Sequence, residues 1–148
     1  MDIIGHRGAR GEAPENTLSG FRYLQALGVL RVEFDIQVAG DGELVVIHDD
    51  TLDRTTSDTG SIKSRNAAEL AAVNACQRLF PDWPATDGVP SLKSVLGLLA
   101  GFEHLQLEVK AKTPEDCQAI AQQLPALWKP LGNHAVTTSF NQDYLRLM

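Results

Sequence analysis

The sequence of 148 residues contains little that would mark a secreted or membrane-embedded protein. Its only two cysteines, Cys76 and Cys117, are far apart, which excludes a dense disulfide framework and the CxxC spacing of a zinc site. No uninterrupted apolar run approaches the roughly 20 residues of a membrane-spanning helix. We expect no secretory signal, since no basic and apolar segment stands before the first motif residues. We therefore expect a cytoplasmic protein with no integral membrane association.

Positive charge is also scarce. The formal net charge is -6, the pI is about 5.1, and no basic run offsets the excess of acidic residues. Because such a field repels polyanions, nucleic acid is not an expected partner. A small anionic substrate remains compatible with the composition, since a few local cations are enough to hold it. The hydrophobic fraction of 43% is ordinary for a globular domain that buries a core.

Short apolar runs alternate with helical patterns along the chain. Strands are predicted, in order, over MDIIG, VLRVEFDIQV, ELVVIHD, HLQLEVK and HAVTTSF. Helices are predicted, in order, within APENTLSGFRYLQALG, SRNAAELAAVNA, SLKSVLGLLAG, the segment that begins at Thr113 and Pro114, and NQDYLRLM, with PALWKPLGN irregular. Apart from a hairpin signal at Asp41-Gly42, this alternation favours an α/β fold with a mostly parallel sheet, most simply the first part of a barrel.

One long stretch interrupts the alternation. Residues 49–63 consist of polar turn formers, and residues 76–90 carry three prolines and a glycine. Such a composition predicts exposed, irregular backbone on either side of one short helix. We expect residues 49–90 to form a loop or small insertion over the active-site face of a single domain that covers residues 1–148.

Ionisable residues gather where the predicted strands end. Alternate residues of a strand share a face, so Glu33 and Asp35 point the same way, as do Glu108 and Lys110. The residues at these strand ends are His6, Glu33, Asp35, His48, Glu108 and Lys110. Parallel α/β barrels keep their active sites at the C-terminal ends of their strands, so the sequence predicts a site there.

Three carboxylates brought together require a compensating charge. At ~5 Å and an effective dielectric constant of ~20, each pair repels by roughly 3 kcal/mol, so three pairs cost about 10 kcal/mol. This rivals the roughly 5 to 15 kcal/mol that stabilises a whole domain. Either a cation lies among Glu33, Asp35 and Glu108 or these groups titrate. Ligation by carboxylates alone favours a hard ion such as Mg²⁺ or Ca²⁺ over zinc.

The other charged residues suit a phosphodiester substrate. With the carboxylates on a metal ion, His6 and His48 are free for proton transfer, one activating the nucleophile and the other protonating the leaving alcohol. Arg7 offers a planar fork for two phosphate oxygens, and Lys110 adds a point charge. The sequence therefore predicts that the site holds a phosphodiester against the metal.

These motifs together resemble the glycerophosphodiester phosphodiesterase family. The pieces that carry the resemblance are HRG, APENT, VEFD, DGELVVIHDDTLDRTT and LEVK, in that order. Each piece alone is weak, but the ordered set is specific and runs from His6 to about Asn141. The resemblance implies a (β/α)₈ barrel that hydrolyses glycerophosphodiesters to glycerol 3-phosphate and an alcohol.

The resemblance also implies roles for single residues. His6 and His48 would be the acid–base pair. One divalent cation, Mg²⁺ or Ca²⁺, would be held by Glu33, Asp35 and Glu108. The phosphate would be contacted by Arg7 and Lys110, with Asn16 beside them. Asn16 has a second interpretation, because Asn before an apolar stripe is also a common helix cap.

The length departs from the family pattern. A (β/α)₈ barrel usually needs ~250 residues, whereas about five βα units are recognisable here, so we expect a C-terminally truncated barrel. Its open sheet edges would favour self-association. One alternative is a non-catalytic partial barrel that binds metal or phosphate. Another is a related phospholipase acting on phosphoinositide or sphingomyelin, which is less favoured because residues 49–63 lack the apolar or basic surface that a membrane substrate requires.

Overall fold

The computed structural model describes residues 3–139 and 141–147. Its strands are β1 (Gly5–His6), β2 (Arg31–Val38), β3 (Leu44–Val46), β4 (His104–Val109) and β5 (Ala135–Thr138). Its α-helices are α1 (Leu18–Ala26), α2 (Ala67–Ala72), α3 (Leu92–Leu98), α4 (Pro114–Trp128) and α5 (Gln142–Leu147), with 3₁₀ turns at Ile62–Ser64 and Lys129–His134. The predicted first strand, fifth strand and last helix each include positions outside the described residues, namely Met1, Asp2, Phe140 and Met148.

The sheet confirms the predicted α/β architecture. Its strand order is β1-β2-β4-β5, with all neighbours on this path parallel. β3 lies off the path and pairs antiparallel with β2, as the Asp41-Gly42 signal predicts. The predicted series of about five βα units therefore comprises four parallel strands and one hairpin strand in the described residues. Four parallel strands are half of the number that closes a (β/α)₈ barrel.

Most helix boundaries follow from local capping chemistry. The Ser91 side chain accepts a hydrogen bond from the Ser94 amide at the start of α3. Thr113 caps α4 in the same way, with Pro114 in the first turn. α2 is shorter than predicted, because only residues 67–72 are helical after its Asn66 cap.

One predicted irregular segment is helical. α4 continues to Trp128 with Pro125 inside it, although proline removes a backbone donor in a helix interior. Leu124 is buried in the core and Trp128 packs against that core, so tertiary packing outweighs the local penalty. The prediction of irregular structure for PALW was therefore wrong.

The two faces of β2 have different roles. Val32, Phe34 and Ile36 are buried in the main hydrophobic core on one face, where Phe34 meets Phe21 of α1 edge-to-face at 5.7 Å. Glu33, Asp35 and Gln37 alternate with them, are also buried and lie on the opposite face. The sheet thus separates an apolar core from a polar interior.

The segment from 49 to 90 has a small core of its own. Leu52, Ile62 and Leu70 are fully or almost fully buried and pack with Ile47 beside β3. An isolated bridge between Thr51 and Ser61 closes the first loop of this segment. The segment is ordered by packing as well as by its turns.

The two outer strands of the sheet expose apolar residues. Ile3 and Ile4, which lead into β1, are 62% and 44% exposed, and Val136 of β5 is 43% exposed. β1 and β5 each pair on one side only in the described residues. Both edges therefore offer unpaired backbone groups beside apolar side chains.

Candidate active site

The parallel register brings the predicted site residues together. His6 of β1 is aligned with Glu33 of β2, and Asp35 of β2 is aligned with Glu108 of β4. Aligned residues of neighbouring strands project to the same side of a sheet. As a result, Glu33, Asp35 and Glu108 can each offer a carboxylate oxygen within 4.8 Å of the others.

Burial and mutual repulsion perturb these carboxylates strongly. Burial and the charge of Asp35 raise the pKa of Glu33 to about 7. Burial also raises the pKa of Asp35, although a hydrogen bond from Asn16 acts against the shift. Burial favours a raised pKa for Glu108 as well, but the Lys110 ammonium together with hydrogen bonds that involve Lys110, Asp35 and Glu33 outweighs it, and the pKa is lowered. The cluster holds more negative charge than its protein neighbours stabilise.

Asp35 lies at the centre of the cluster and is completely buried. Its Oδ2 accepts a hydrogen bond of 3.0 Å from Asn16 Nδ2 and lies 3.5 Å from Arg7 Nε. Its Oδ1 has no hydrogen-bond partner among the described residues, and Lys110 Nζ lies 3.8 Å from it. A buried carboxylate oxygen in this state, facing two further carboxylates, fits a ligand to a cation of the hard, oxygen-binding kind.

The loop between β1 and α1 is held in an unusual backbone conformation. Arg7 and Asn16 are the only non-glycine residues with positive φ in the described part of the chain, at 52° and 53°. The Arg7 amide donates to Glu33 Oε1 at 3.2 Å, and the Asn16 amide donates to the Arg7 carbonyl at 2.9 Å. Such strain persists where surrounding contacts impose it, which is typical of functional sites.

The same loop decides between the two interpretations of Asn16. Thr17 is the cap of α1, since its side chain accepts from the Gly20 amide at 3.0 Å. Asn16 lies one residue earlier and directs its side chain to Asp35 instead. The helix-cap interpretation of Asn16 was therefore wrong.

His6 lies at the rim of the cluster. Its side chain is 56% exposed, and its Nε2 is 4.0 Å from Glu33 Oε1. Partial burial, followed by the positive charges of Arg7 and Arg10, lowers the pKa of His6. These contacts favour the neutral imidazole.

His48 lies on the other side, in the loop that follows β3. It lines an open cavity of about 530 Å³ together with Glu108, Lys110 and Asn141. Its Nδ1 is 2.7 Å from Asp49 Oδ1. His48 thus shares this cavity with Glu108 of the cluster, whereas His6 borders Glu33 from β1.

The structure also reveals two residues that the sequence analysis did not single out. Glu15 receives hydrogen bonds from Arg7 at 3.2 Å and from Arg54 at 2.9 Å and 3.0 Å. Gln37 Nε2 lies 2.9 to 3.2 Å from the carbonyl oxygens of residues 47–49. The one available signal for Gln37 was its spacing, because it continues the alternation of Glu33 and Asp35.

Taken together, these features define the protein as a partial (β/α) barrel with a cluster of three carboxylates, suited to hold a cation, at the C-terminal ends of its strands. The profile of the Glycerophosphoryl diester phosphodiesterase family matches residues 6–145. Because this match covers nearly the whole chain, the chain belongs to that family.

Individual relatives agree with this assignment. A glycerophosphodiester phosphodiesterase of Caldanaerobacter subterraneus is 36% identical over 110 residues, which are 74% of this chain and 45% of the relative. The crystal structure of a glycerophosphodiester phosphodiesterase from Agrobacterium tumefaciens superposes with a TM-score of 0.84 at 31% identity, covering 99% of this chain and 61% of that one. A phosphodiesterase from Oleispira antarctica, solved with its product sn-glycerol-3-phosphate, gives 0.81 at 30% identity, with 99% and 60% covered.

The chain thus spans about half the length of the relatives that it matches, 45% of the Caldanaerobacter protein and 61% of the Agrobacterium structure. Within the described residues, no helix combines the length and apolar character needed to cross a bilayer.

Proposed function

We propose that this chain is the catalytic half of a phosphodiesterase that hydrolyses glycerophosphodiesters to glycerol 3-phosphate and an alcohol. The observation that carries the proposal is the cluster of Glu33, Asp35 and Glu108, whose oxygens lie within 4.8 Å of one another at the strand ends of a family member. The relative from Oleispira antarctica, solved with sn-glycerol-3-phosphate, supports the same substrate class.

The three carboxylates are proposed to hold one divalent cation, Mg²⁺ or Ca²⁺. An all-oxygen donor set, a buried Asp35 Oδ1 without a hydrogen bond and the raised pKa of Glu33 all fit this role. When bound, such an ion neutralises the cluster and polarises a phosphate oxygen. Asn16 keeps the Asp35 carboxylate oriented through its hydrogen bond.

Arg7 and Lys110 are proposed to contact the phosphate. Both cations lie beside Asp35, and the buried Arg7 Nε has no hydrogen-bond partner among the described residues. Lys110 Nζ is 3.4 Å from Glu108 Oε1, so it borders both the cluster and the cavity. A phosphodiester at this position would give each cation a charged acceptor.

His6 and His48 are proposed to be the acid–base pair. The reaction forms one P–O bond and breaks another, so a proton must leave the attacking oxygen and a proton must reach the departing alkoxide. The lowered pKa of His6 favours the neutral form that a general base requires. His48, on the cavity side, is then placed to protonate the leaving alcohol.

Release of choline from glycerophosphocholine, with and without EDTA, tests the function. We expect turnover that EDTA abolishes and that added Mg²⁺ or Ca²⁺ restores. The variant His48→Gln should bind the cation but lose most turnover, whereas an exposed substitution such as Gln118→Leu should change neither. If calorimetry shows cation binding while this chain has no turnover, the result would favour a non-catalytic metal- or phosphate-binding module.

The two sheet edges are proposed to support self-association. Exposed Ile3 and Ile4 beside β1, and exposed Val136 in β5, provide apolar surface next to strands that pair on one side only in the described residues. Light scattering of the 148-residue chain should give a mass above that of the monomer. A monodisperse monomer at high concentration would contradict this.

Two further expectations remain predictions. The segment 49–90 is proposed to act as an insertion over the active-site face of one domain covering residues 1–148, since Asp49, Asp50 and Thr51 line the cavity. The cytoplasmic location still depends only on the cysteine usage and the sequence pattern.

A further inference from the structure

The side chain of His48 has one well-defined partner. Its Nδ1 is 2.7 Å from Asp49 Oδ1, and both side chains are only partly exposed, at 32% and 24%. Two ring nitrogens of a neutral histidine differ in role, since one donates and the other accepts. The partner at Nδ1 therefore decides which nitrogen is left for chemistry.

Asp49 is itself held firmly. Arg54 donates to Asp49 from Nε at 2.8 Å and from Nη2 at 3.0 Å, which is a bidentate contact. Hydrogen bonding from Arg54 lowers the pKa of Asp49 to about 2. An ionised carboxylate has no proton to donate, so the short contact requires the proton to be on His48 Nδ1.

Arg54 is anchored a second time, on Glu15. Its Nη1 and Nη2 donate to the two Glu15 oxygens at 2.9 Å and 3.0 Å. Glu15 is buried and also accepts from Arg7 at 3.2 Å. Burial favours a raised pKa for Glu15, but the hydrogen bond from Arg54 together with the positive charges of Arg54, Arg7 and Arg10 outweighs it, and the pKa is lowered. Glu15 thus connects the loop after β1 with the loop after β3.

We propose that Glu15, Arg54 and Asp49 form a positioning relay for His48, in which Asp49 fixes the tautomer with the proton on Nδ1 and leaves Nε2 to exchange the proton with substrate. None of the three residues needs to touch substrate. Because Glu15 also accepts a hydrogen bond from Arg7, the relay fixes the position of His48 relative to Arg7, the arginine proposed to contact the phosphate. The catalytic part of this inference depends on the proposed function.

Lysine cannot replace Arg54 in this arrangement. A guanidinium has five donors in a planar fork and can span two carboxylates, whereas an ammonium is a single point charge. The inference therefore predicts a graded series, in which Arg54→Lys weakens the relay and Asp49→Asn breaks its last link. In Asp49→Asn, the neutral amide can donate to Nδ1 and so permits the opposite tautomer.

Nitrogen NMR of ¹⁵N-histidine-labelled protein reads the tautomer directly. The chain has four histidines, so single His→Gln substitutions assign each signal. At about pH 8, where an ordinary imidazole is neutral, wild-type His48 should show a protonated Nδ1 and an unprotonated Nε2. Asp49→Asn should shift His48 toward a mixture or the opposite tautomer, and Arg54→Lys should lie between the two.

Asp58→Asn is the matched control. It removes an Asp–Arg ion pair of the same segment, between Asp58 and Arg65 at 2.5 Å, without touching His48. We expect it to leave the His48 signals unchanged. In turnover of glycerophosphocholine, Asp49→Asn should lower kcat by about 100-fold with little change in KM, as loss of an oriented acid–base group does. Melting curves verify that each variant is folded.

The outcomes separate the two proposals. A wild-type His48 with its proton on Nε2 would overturn the relay, as would an Asp49→Asn variant with an unchanged tautomer. If the tautomers behave as expected but wild-type protein has no turnover, the relay stands as a structural device and the proposed function fails. If Asp49→Asn does not fold, the wild-type signal and Arg54→Lys still decide.

Discussion

The two faces of β2 are both buried but chemically opposite. Val32, Phe34 and Ile36 are 0% exposed on one face, while Asp35 on the other is also 0% exposed and Gln37 is 4% exposed. Burial of apolar side chains is favourable in itself, whereas a buried carboxylate costs free energy unless it is paired. The core face of β2 therefore stabilises the fold, whereas the buried carboxylates on its interior face destabilise it.

This contrast explains why the site remains in place while it carries repelling charges. β2 is fixed by its apolar face and by pairing with β1, β3 and β4. The carboxylates therefore cannot reduce their repulsion by moving apart. The strain at Arg7 and Asn16 is borne by the same framework.

The largest effect is expected on the core face. Phe34→Ala should lower the free energy of unfolding by about 3 to 5 kcal/mol, because it removes a fully buried ring and leaves a cavity beside Phe21. Urea titration measures this loss. Leu27→Ala, at a position that is 54% exposed, should cost well under ~1 kcal/mol. Equal losses for the two variants would show that the core face does not carry the fold.

A smaller effect is expected from Asp35, the proposed central ligand of the cation. Asp35→Asn should weaken Mg²⁺ or Ca²⁺ binding by at least about 100-fold, or ~2.7 kcal/mol, while the chain remains folded. Calorimetric titration of the apo protein gives the affinity. Asp116→Asn removes another buried carboxylate, which lies outside the cluster. The affinity of this variant for the cation should match that of the wild type. Wild-type affinity in Asp35→Asn would rule out the proposed ligand set.

The pH dependence of stability tests the interior face without any substitution. The pKa of Glu33 is raised from 4.5 to about 7, so the folded chain binds this proton more tightly than the unfolded chain. The contribution is fully present below pH 4.5 and is lost as the pH rises through about 7. We expect a loss on the order of 2 kcal/mol across this window in EDTA, measured by urea titration.

Two controls sharpen this pH experiment. Glu33→Gln should flatten the profile between pH 4.5 and 7, and saturating Mg²⁺ should restore stability at the alkaline end. A stability that rises with pH across the window in EDTA would contradict the raised pKa of Glu33.

The smallest effect is expected at the far end of the interior face. Gln37→Leu should cost about 1 to 2 kcal/mol, because the carbonyls of residues 47–49 lose a buried donor. It should also loosen His48, which hydrogen exchange of that loop would report. Gln118→Leu on exposed α4 surface is the matched control. No difference between these variants would show that water replaces the amide without cost.

The architecture could be predicted where local chemistry decides it. Ser91 and Thr113 cap helices as their sequences indicate, and Asp41-Gly42 joins two antiparallel strands. PALW was misjudged because a core contact at Leu124 overrides the preference of Pro125. Local rules thus fail where tertiary packing supplies the larger free energy.

Only part of the candidate site could be predicted from the sequence. Its acidic members follow from strand alternation, and the structure places Glu33, Asp35 and Glu108 within reach of one cation. The role of Glu15 could not be predicted, because its partners Arg7 and Arg54 come from two loops whose approach depends on the whole fold. Side-chain networks between loops need three-dimensional information that spacing alone lacks.

The placement of the site along the chain has a consequence for recombination. All eight predicted site residues fall between His6 and Lys110, on β1, β2, β4 and the loops that follow β1, β3 and β4. A chimaera that keeps this stretch and takes the residues after Lys110 from a distant relative would inherit the proposed cation ligands and the proposed acid–base pair unchanged.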